Sequence, residues 1–253
     1  MTTVAFLGPS LPLTEAREMT DAVLLPPARR GDVVRAIAQH DPEVILIIDG
    51  YFEQVPSVWH KEILWALQQG RTVAGAASMG ALRAAELAQF GMIGVGRIFE
   101  AYASGRFEPF EDPFEDDDEV AVLHGPAETG YAATEAMVDI RATLAAARSD
   151  GVVSTAEMTA IAATAKAQFY KRRTWGSVLP AVAILSDPAR TALRDWLRDN
   201  RVLQKRLDAT QLLRQNSKRE LVADIPPFRF EQTLLWETEL PKILEAIRDR
   251  VPR

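Results

Sequence analysis

Five consecutive aliphatic residues, Val44 to Ile48, closed by Asp49-Gly50, constrain this chain more than any other stretch. A strand with one face in water alternates apolar and polar side chains. An unbroken aliphatic run of strand length therefore predicts a strand buried on both faces, the centre of a parallel sheet with helices above and below. The flanking sequence repeats this pattern. Val4 to Leu7 is an apolar run ending at Gly8-Pro9-Ser10, Ala22 to Leu25 is a second short run, and Asp32 to Gln39 has helical spacing. Pro56 and Ser57 predict a helix start near Ser57, running to Gln69 with Gly70 as its stop. Thr72 to Ala76 then reads as a strand and Met79 to Phe90 as a helix. Val120 to Leu123 reads as one more strand, ended by His124-Gly125-Pro126.

Beyond Gly125 the pattern is helical: Thr134 to Arg148, a helix opened by the capping box Ser154-Thr-Ala-Glu157 and reaching Tyr170, Pro188 to Asn200 continuing toward Arg219, and Phe230 to Arg248. The expected fold class is α/β, with a mostly parallel sheet flanked by helices in residues 1–128 and an all-helical, partner-docking region in residues 129–253.

Composition removes several kinds of chemistry. Lys and Arg number 29 against 35 Asp and Glu, a net charge of −6, which weighs against a general affinity for nucleic acid or anionic membrane. The absence of cysteine excludes disulfides, thiolate nucleophiles and zinc-thiolate sites. His40, His60 and His124 are too far apart for a metal-binding spacing, and no metal is expected. Without a basic leader or an apolar run of about 20 residues, the chain is expected to be cytoplasmic.

The chemistry points to the segment from Thr72 to Leu87. A strand runs into small residues, then Ser78, then Gly80, then a helix, as in a nucleophile elbow whose leading glycine is replaced by Ala76. Such a turn lifts the hydroxyl to a helix N-terminus, where the Met79 and Gly80 amides are candidate oxyanion donors. The other reading of Ser78 is a plain helix cap. A serine nucleophile needs a base, and a neutral lysine is one option. Lys61 is the only lysine in the first half. It lies one turn into the helix after the Val44 to Ile48 strand, so neighbouring strands would bring it to the same rim as Ser78. Trp59, Leu64, Trp65 and Phe52 would desolvate it, whereas an ion pair with Glu62, Glu53 or Asp49 would keep its charge. Asp49, Gly8 and Ser10 end strands at that rim and are further candidates for oxyanion or substrate contacts. Glu86 is expected to form a structural ion pair with Arg83 or another basic residue.

Two charged features suggest partner surfaces or solvated faces. Arg190, Arg194, Arg198, Arg201 and Lys205 form a basic stripe if their helix is continuous. Between Glu108 and Glu119 lie eight acids and two prolines, interleaved with Phe107, Phe110 and Phe114, which predicts a surface loop.

Residues 49–67 (DGYFEQVPSVWHKEILWAL) and 75–87 (GAASMGALRAAEL) resemble the TfuA family, and the likeness extends to about residue 130 and loosely to Phe169–Trp175. The resemblance implies a partner of YcaO enzymes in peptide backbone thioamidation. It implies hydrolysis of the C-terminal thiocarboxylate of a ThiS-like sulfur carrier protein, releasing sulfide to YcaO, with help in holding the substrate peptide. The family's Ser-Lys pair maps to Ser78 and Lys61, and no cofactor is implied. The alternative is a non-catalytic adaptor that recruits carrier and substrate to YcaO.

Overall fold

The computed structural model describes residues 2–51, 53, 55–125 and 132–248. The expected boundary at residue 128, Pro126 of the strand stop, and Phe52 lie outside the described residues. Five parallel strands, β1 (Thr3–Phe6), β2 (Val23–Leu25), β3 (Val44–Ile47), β4 (Thr72–Ala76) and β5 (Ile93–Val95), lie in the order β2-β1-β3-β4-β5. β3 is central and all four of its residues are buried, as its unbroken aliphatic run requires. Phe6 pairs with Ile47 and Ile47 with Gly75, so β1, β3 and β4 end on one rim. The order turns back between β1 and β3. The loops leaving these strands diverge there and open a crevice at their carboxyl ends.

The helices are α1 (Leu13–Met19), α2 (Asp32–His40), α3 (His60–Gln68), α4 (Met79–Leu87), α5 (Arg97–Ser104), α6 (Met137–Ser149), α7 (Thr155–Lys166), α8 (Trp175–Ala181), α9 (Asp187–Asn200), α10 (Gln204–Ser217) and α11 (Leu234–Arg248). One face of the sheet presents Val4, Phe6, Ile45, Ile47 and Val73 to Val33 and Ile37 of α2, Ile63 and Leu67 of α3 and Ala84 and Leu87 of α4. The opposite face presents Ala5, Leu46, Ile48, Ala74 and Ala76 to Ala16 of α1 and to Ala209, Leu212 and Leu213 of α10. A helix from the C-terminal half thus closes the second face of the N-terminal sheet. α11 docks on α2 through buried Trp236, which packs near Val34, Trp59 and Trp65. The halves share their cores.

Several expectations need correction. Val120–Leu123 is not a strand: a 3-10 turn, Asp117–Glu119, precedes it, Leu123 N–H goes to Thr134 Oγ1 and the Val120 carbonyl to Lys205, and its backbone pairing is limited to the Leu123 carbonyl with Ala133 N–H beside an isolated bridge of His124 and Ala132. The helix expected from Ser57 begins at His60 because Glu62, three residues beyond Trp59, accepts the Trp59 N–H at 2.8 Å. The long helix toward Arg219 breaks between Asn200 and Gln204, which separates α9 from α10. Lys205 is therefore buried and not part of an exposed stripe, while Arg190 instead donates to the Leu179, Val182 and Leu185 carbonyls. β5 and α5 were not expected. β5 is only three residues with a central glycine, and the Phe99 ring occupies the space where a Gly94 side chain would begin. The capping box at Ser154 forms as expected, with Ser154 N–H donating to Glu157 at 2.8 Å and Glu157 N–H to Ser154 Oγ at 3.2 Å.

The acidic stretch folds inward instead of forming a free loop. Phe107, Phe110 and Phe114 are buried in the core of the helical half, and Glu119 is completely buried. Cations meet its acids: Arg141 forks Glu119 and Asp112, Arg173 binds Asp118, and Lys166 lies 2.9 Å from Glu119 and 3.0 Å from Asp116.

Glu62 shows what such burial costs. Its carboxylate accepts N–H groups from Trp59 at 2.8 Å and from Gly31 and Val33 at 2.9 Å, so one side chain caps both α3 and α2. Burial outweighs these three donors and pushes its pKa up to about 7. A carboxyl that holds its proton more tightly when folded stabilises the protein below its unfolded pKa, and that contribution is lost as pH rises through about 7. Urea denaturation from pH 5 to 8 should show wild type losing, relative to Glu62→Gln, on the order of 3 kcal/mol at most. Parallel pH dependence of the two proteins would exclude this titration.

Candidate active site

β4 ends at Ala76, and the chain enters α4 through a tight turn. Ala77 has φ +67°, the left-handed region that costs a residue with a Cβ on the order of 1–2 kcal/mol. Ser78 N–H donates to the Ala76 carbonyl at 2.8 Å, closing a three-residue turn about Ala77. The turn needs small neighbours. A Cβ on Gly80 would lie 1.7 Å from the Ile47 carbonyl oxygen, and one on Gly75 would lie 2.1 Å from the Gly80 carbonyl oxygen. The α4 N-terminus therefore sits directly against the ends of β3 and β4.

Ser78 occupies the N-cap position of α4, yet its side chain makes no capping hydrogen bond. It is buried and lines a cavity of about 40 Å³ together with Asp49, Gly50, Tyr51, Met79, His124 and Lys205. Water-sized cavities begin at roughly 10–15 Å³. The space suits a narrow group better than a bulky one.

The site residues expected from the sequence divide as follows. Asp49 is buried and accepts the Gly8 N–H at 2.9 Å, the Ser10 N–H at 3.1 Å and the Ser10 hydroxyl at 2.7 Å. The amides of Gly8 and Ser10 are thereby committed to Asp49 and do not point to an oxyanion. Gly80 N–H is committed to the Ile48 carbonyl at 3.3 Å. Met79 N–H, by contrast, has no acceptor among the described residues, and neither does Gly50 N–H on the neighbouring strand end. Both residues line the cavity.

Lys61 is not among the residues lining the cavity. Its ammonium donates to the Glu231 carbonyl and lies 4.5 Å from the centre of the Phe230 ring, fastening the segment before α11. Phe230 and Glu231 lie far along the chain, and nothing near Lys61 in sequence signals their arrival. Glu86 pairs with Arg83 at 2.7 Å, as expected, and also with His60 at 2.7 Å.

The lysine at the cavity is Lys205, the second residue of α10. It is buried, donates to the Val120 carbonyl at 2.8 Å, and has its pKa lowered by desolvation, with the charges of Asp49 and Asp139 opposing the shift. Sequence reasoning placed Lys205 in a basic stripe because its spacing continues that of Arg190 to Arg201. The break between α9 and α10 is what turns it inward. His124 also lines the cavity and donates from Nδ1 to the Gly125 carbonyl at 2.7 Å, the assignment that a carbonyl partner dictates.

A doubly wound α/β protein with a serine on a strained strand-to-helix turn, at the carboxyl rim beside the switch point, has a site where such sheets place ligands. The family model of TfuA-like proteins matches residues 49–174, which contain Asp49, Gly50, Ser78, Met79 and His124, and the chain belongs to this family. Membership supports an association with YcaO-type thioamidation and a YcaO-related partner. No curated protein matches the chain. Among the described residues, no helix is long and apolar enough to cross a membrane.

Gly80→Ala tests the turn. Overpacking of this kind costs roughly 1–3 kcal/mol where neighbours can shift, and more against fixed backbone. Thermal denaturation should show the lowered stability; an unchanged melting temperature would mean that α4 is not seated against Ile47 as described.

Proposed function

We propose that this protein hydrolyses the C-terminal thiocarboxylate of a ThiS-like sulfur carrier protein and delivers sulfide to a YcaO enzyme, with Ser78 as nucleophile and Lys205 as its base. The observation that carries this reading is a buried N-cap serine that makes no cap and shares a small cavity with a desolvated lysine. It rests also on membership of the TfuA-like family.

Neutral Lys205 takes the Ser78 proton as Oγ attacks the thiocarboxylate carbon. The N–H groups of Met79 and Gly50, at the positive end of the α4 dipole, stabilise the oxyanion. The C–S bond then breaks, and sulfur leaves as hydrosulfide with the proton held by Lys205. An ester to Ser78 remains. Lys205, neutral again, accepts one proton from water as it attacks the ester and returns that proton to the departing Oγ; the second water proton, on the new carboxyl group, is lost to solvent as the carrier leaves as carboxylate. The chemistry requires no metal or redox group.

Sulfide release from a thiocarboxylated carrier, with intact-protein mass of the product, tests the assignment. Ser78→Ala and Lys205→Met should each lower the rate by about 10³-fold or more, without adding in the double variant. Lys61→Ala should retain activity. Loss in Lys61→Ala with retention in Lys205→Met would return the base to Lys61. Equal rates in all the variants would make the protein an adaptor that recruits carrier and substrate to YcaO.

A further inference from the structure

The acidic stretch has a role in the site that its composition does not suggest. Its last turn, Asp117–Glu119, leads directly into Val120, whose carbonyl accepts the Lys205 ammonium at 2.8 Å. Residues Val120 to His124 then form one wall of the Ser78 cavity, and Asp117 also lines it.

That turn is held on several sides. Arg141 of α6, fully buried, donates from Nε to Glu119 Oε2 at 3.0 Å and from Nη2 to Glu119 Oε1 at 2.9 Å. The same guanidinium grips Asp112 at 3.0 and 2.6 Å, tying the start of the acidic stretch to its end. Lys166 of α7 meets Glu119 and Asp116. Arg173, also buried, grips the Asp118 carboxylate at 2.6 and 3.0 Å and its carbonyl at 3.2 Å. Buried pairs of this kind are weakly screened and fix geometry, because a long side chain in a bidentate fork has little freedom.

We propose that the Glu119–Arg141 pair, with Lys166 and Arg173 on the neighbouring acids, positions Lys205 for the serine chemistry by holding the Val120 carbonyl against its Nζ. The proposal rests on the reading of Lys205 as the base. Arg141 and Glu119 are positioning residues, since neither lines the cavity. Without the pair the turn loosens, the Val120 carbonyl leaves Nζ, water enters, and Lys205 regains the charge that burial suppresses. Of the other groups facing Lys205, Asp117 belongs to the loosened turn and His124 to the wall that follows it, whereas Asp49 at the end of β3, Asp139 on α6, and Glu135, Arg201 and Arg206 in the adjoining groove lie outside the turn and stay in place.

Removing both charges together, as Arg141→Met with Glu119→Gln, avoids stranding one buried ion. Lys166→Met, at a partly exposed position, is a milder second variant should the first fail to fold. The chain has six lysines, so ¹³C-lysine labelling gives a few side-chain signals whose pH titration follows Lys205 without any substrate. In wild type the Lys205 signal should titrate below the ordinary lysine range. In either variant its midpoint should move up by at least half a pH unit, and carrier hydrolysis should lose at least tenfold in kcat with KM within threefold. A folded variant with an unmoved Lys205 titration and unchanged kcat overturns the proposal. If the titration moves while wild type shows no Ser78-dependent hydrolysis, the clamp stands and the hydrolase reading fails.

Discussion

The Asp49 carboxylate is the interaction on which the rim of this protein is built. It closes the central strand at the point where strand order turns back, and there it accepts two amides and a hydroxyl from the loop after β1. Hydrogen bonds to an ionised acceptor contribute roughly 1.5–3 kcal/mol each. Three of them lock the crevice between β1 and β3 into one shape. The cost is that the Gly8 and Ser10 amides are used structurally, so among the described residues the site's amides without an acceptor are those of Gly50 and of Met79 at the start of α4.

Asp49 also fixes the electrostatic problem at the site. A buried lysine beside it experiences opposed effects: desolvation favours the neutral amine, while Asp49 and Asp139 favour the ammonium. Desolvation is the larger effect. α10 makes this possible because it delivers Lys205 to the rim from the C-terminal half while Ala209, Leu212 and Leu213 seal the sheet face behind it. The helical half supplies both part of the core and a member of the candidate site, so the sheet alone would lack both.

Much of this was legible in the sequence. Strands with unbroken aliphatic runs carry their own signal, and so does Ser78, because only small residues allow α4 to sit against the end of β4. Lys61 turns away from the Ser78 cavity and Lys205 turns into it, the reverse of what local spacing suggests, for a physical reason. Local spacing correctly places the α3 N-terminus near the rim, but a side chain there is free to turn to whatever packs above it, and Phe230 and Glu231 come from far along the chain. For Lys205 the periodicity of a helix face was extended through residues 201–203, where the backbone leaves the helix. Three residues without helical dihedrals are enough to reverse which side of the next helix faces water.

The acidic stretch shows the same lesson in energetic form. Eight acids in so short a span look solvated because an isolated buried carboxylate is prohibitive. Cations on α6, on α7 and just before α8 remove that objection, and only the tertiary fold brings them together. Replacing such pairs with apolar residues is often neutral or stabilising, so global stability is a weak explanation for their presence. What an ionic clamp provides and an apolar contact does not is a fixed direction: a bidentate guanidinium sets the orientation of its carboxylate, and with it the backbone that follows. Here that backbone is the carbonyl to which the buried amine beside Ser78 is bound.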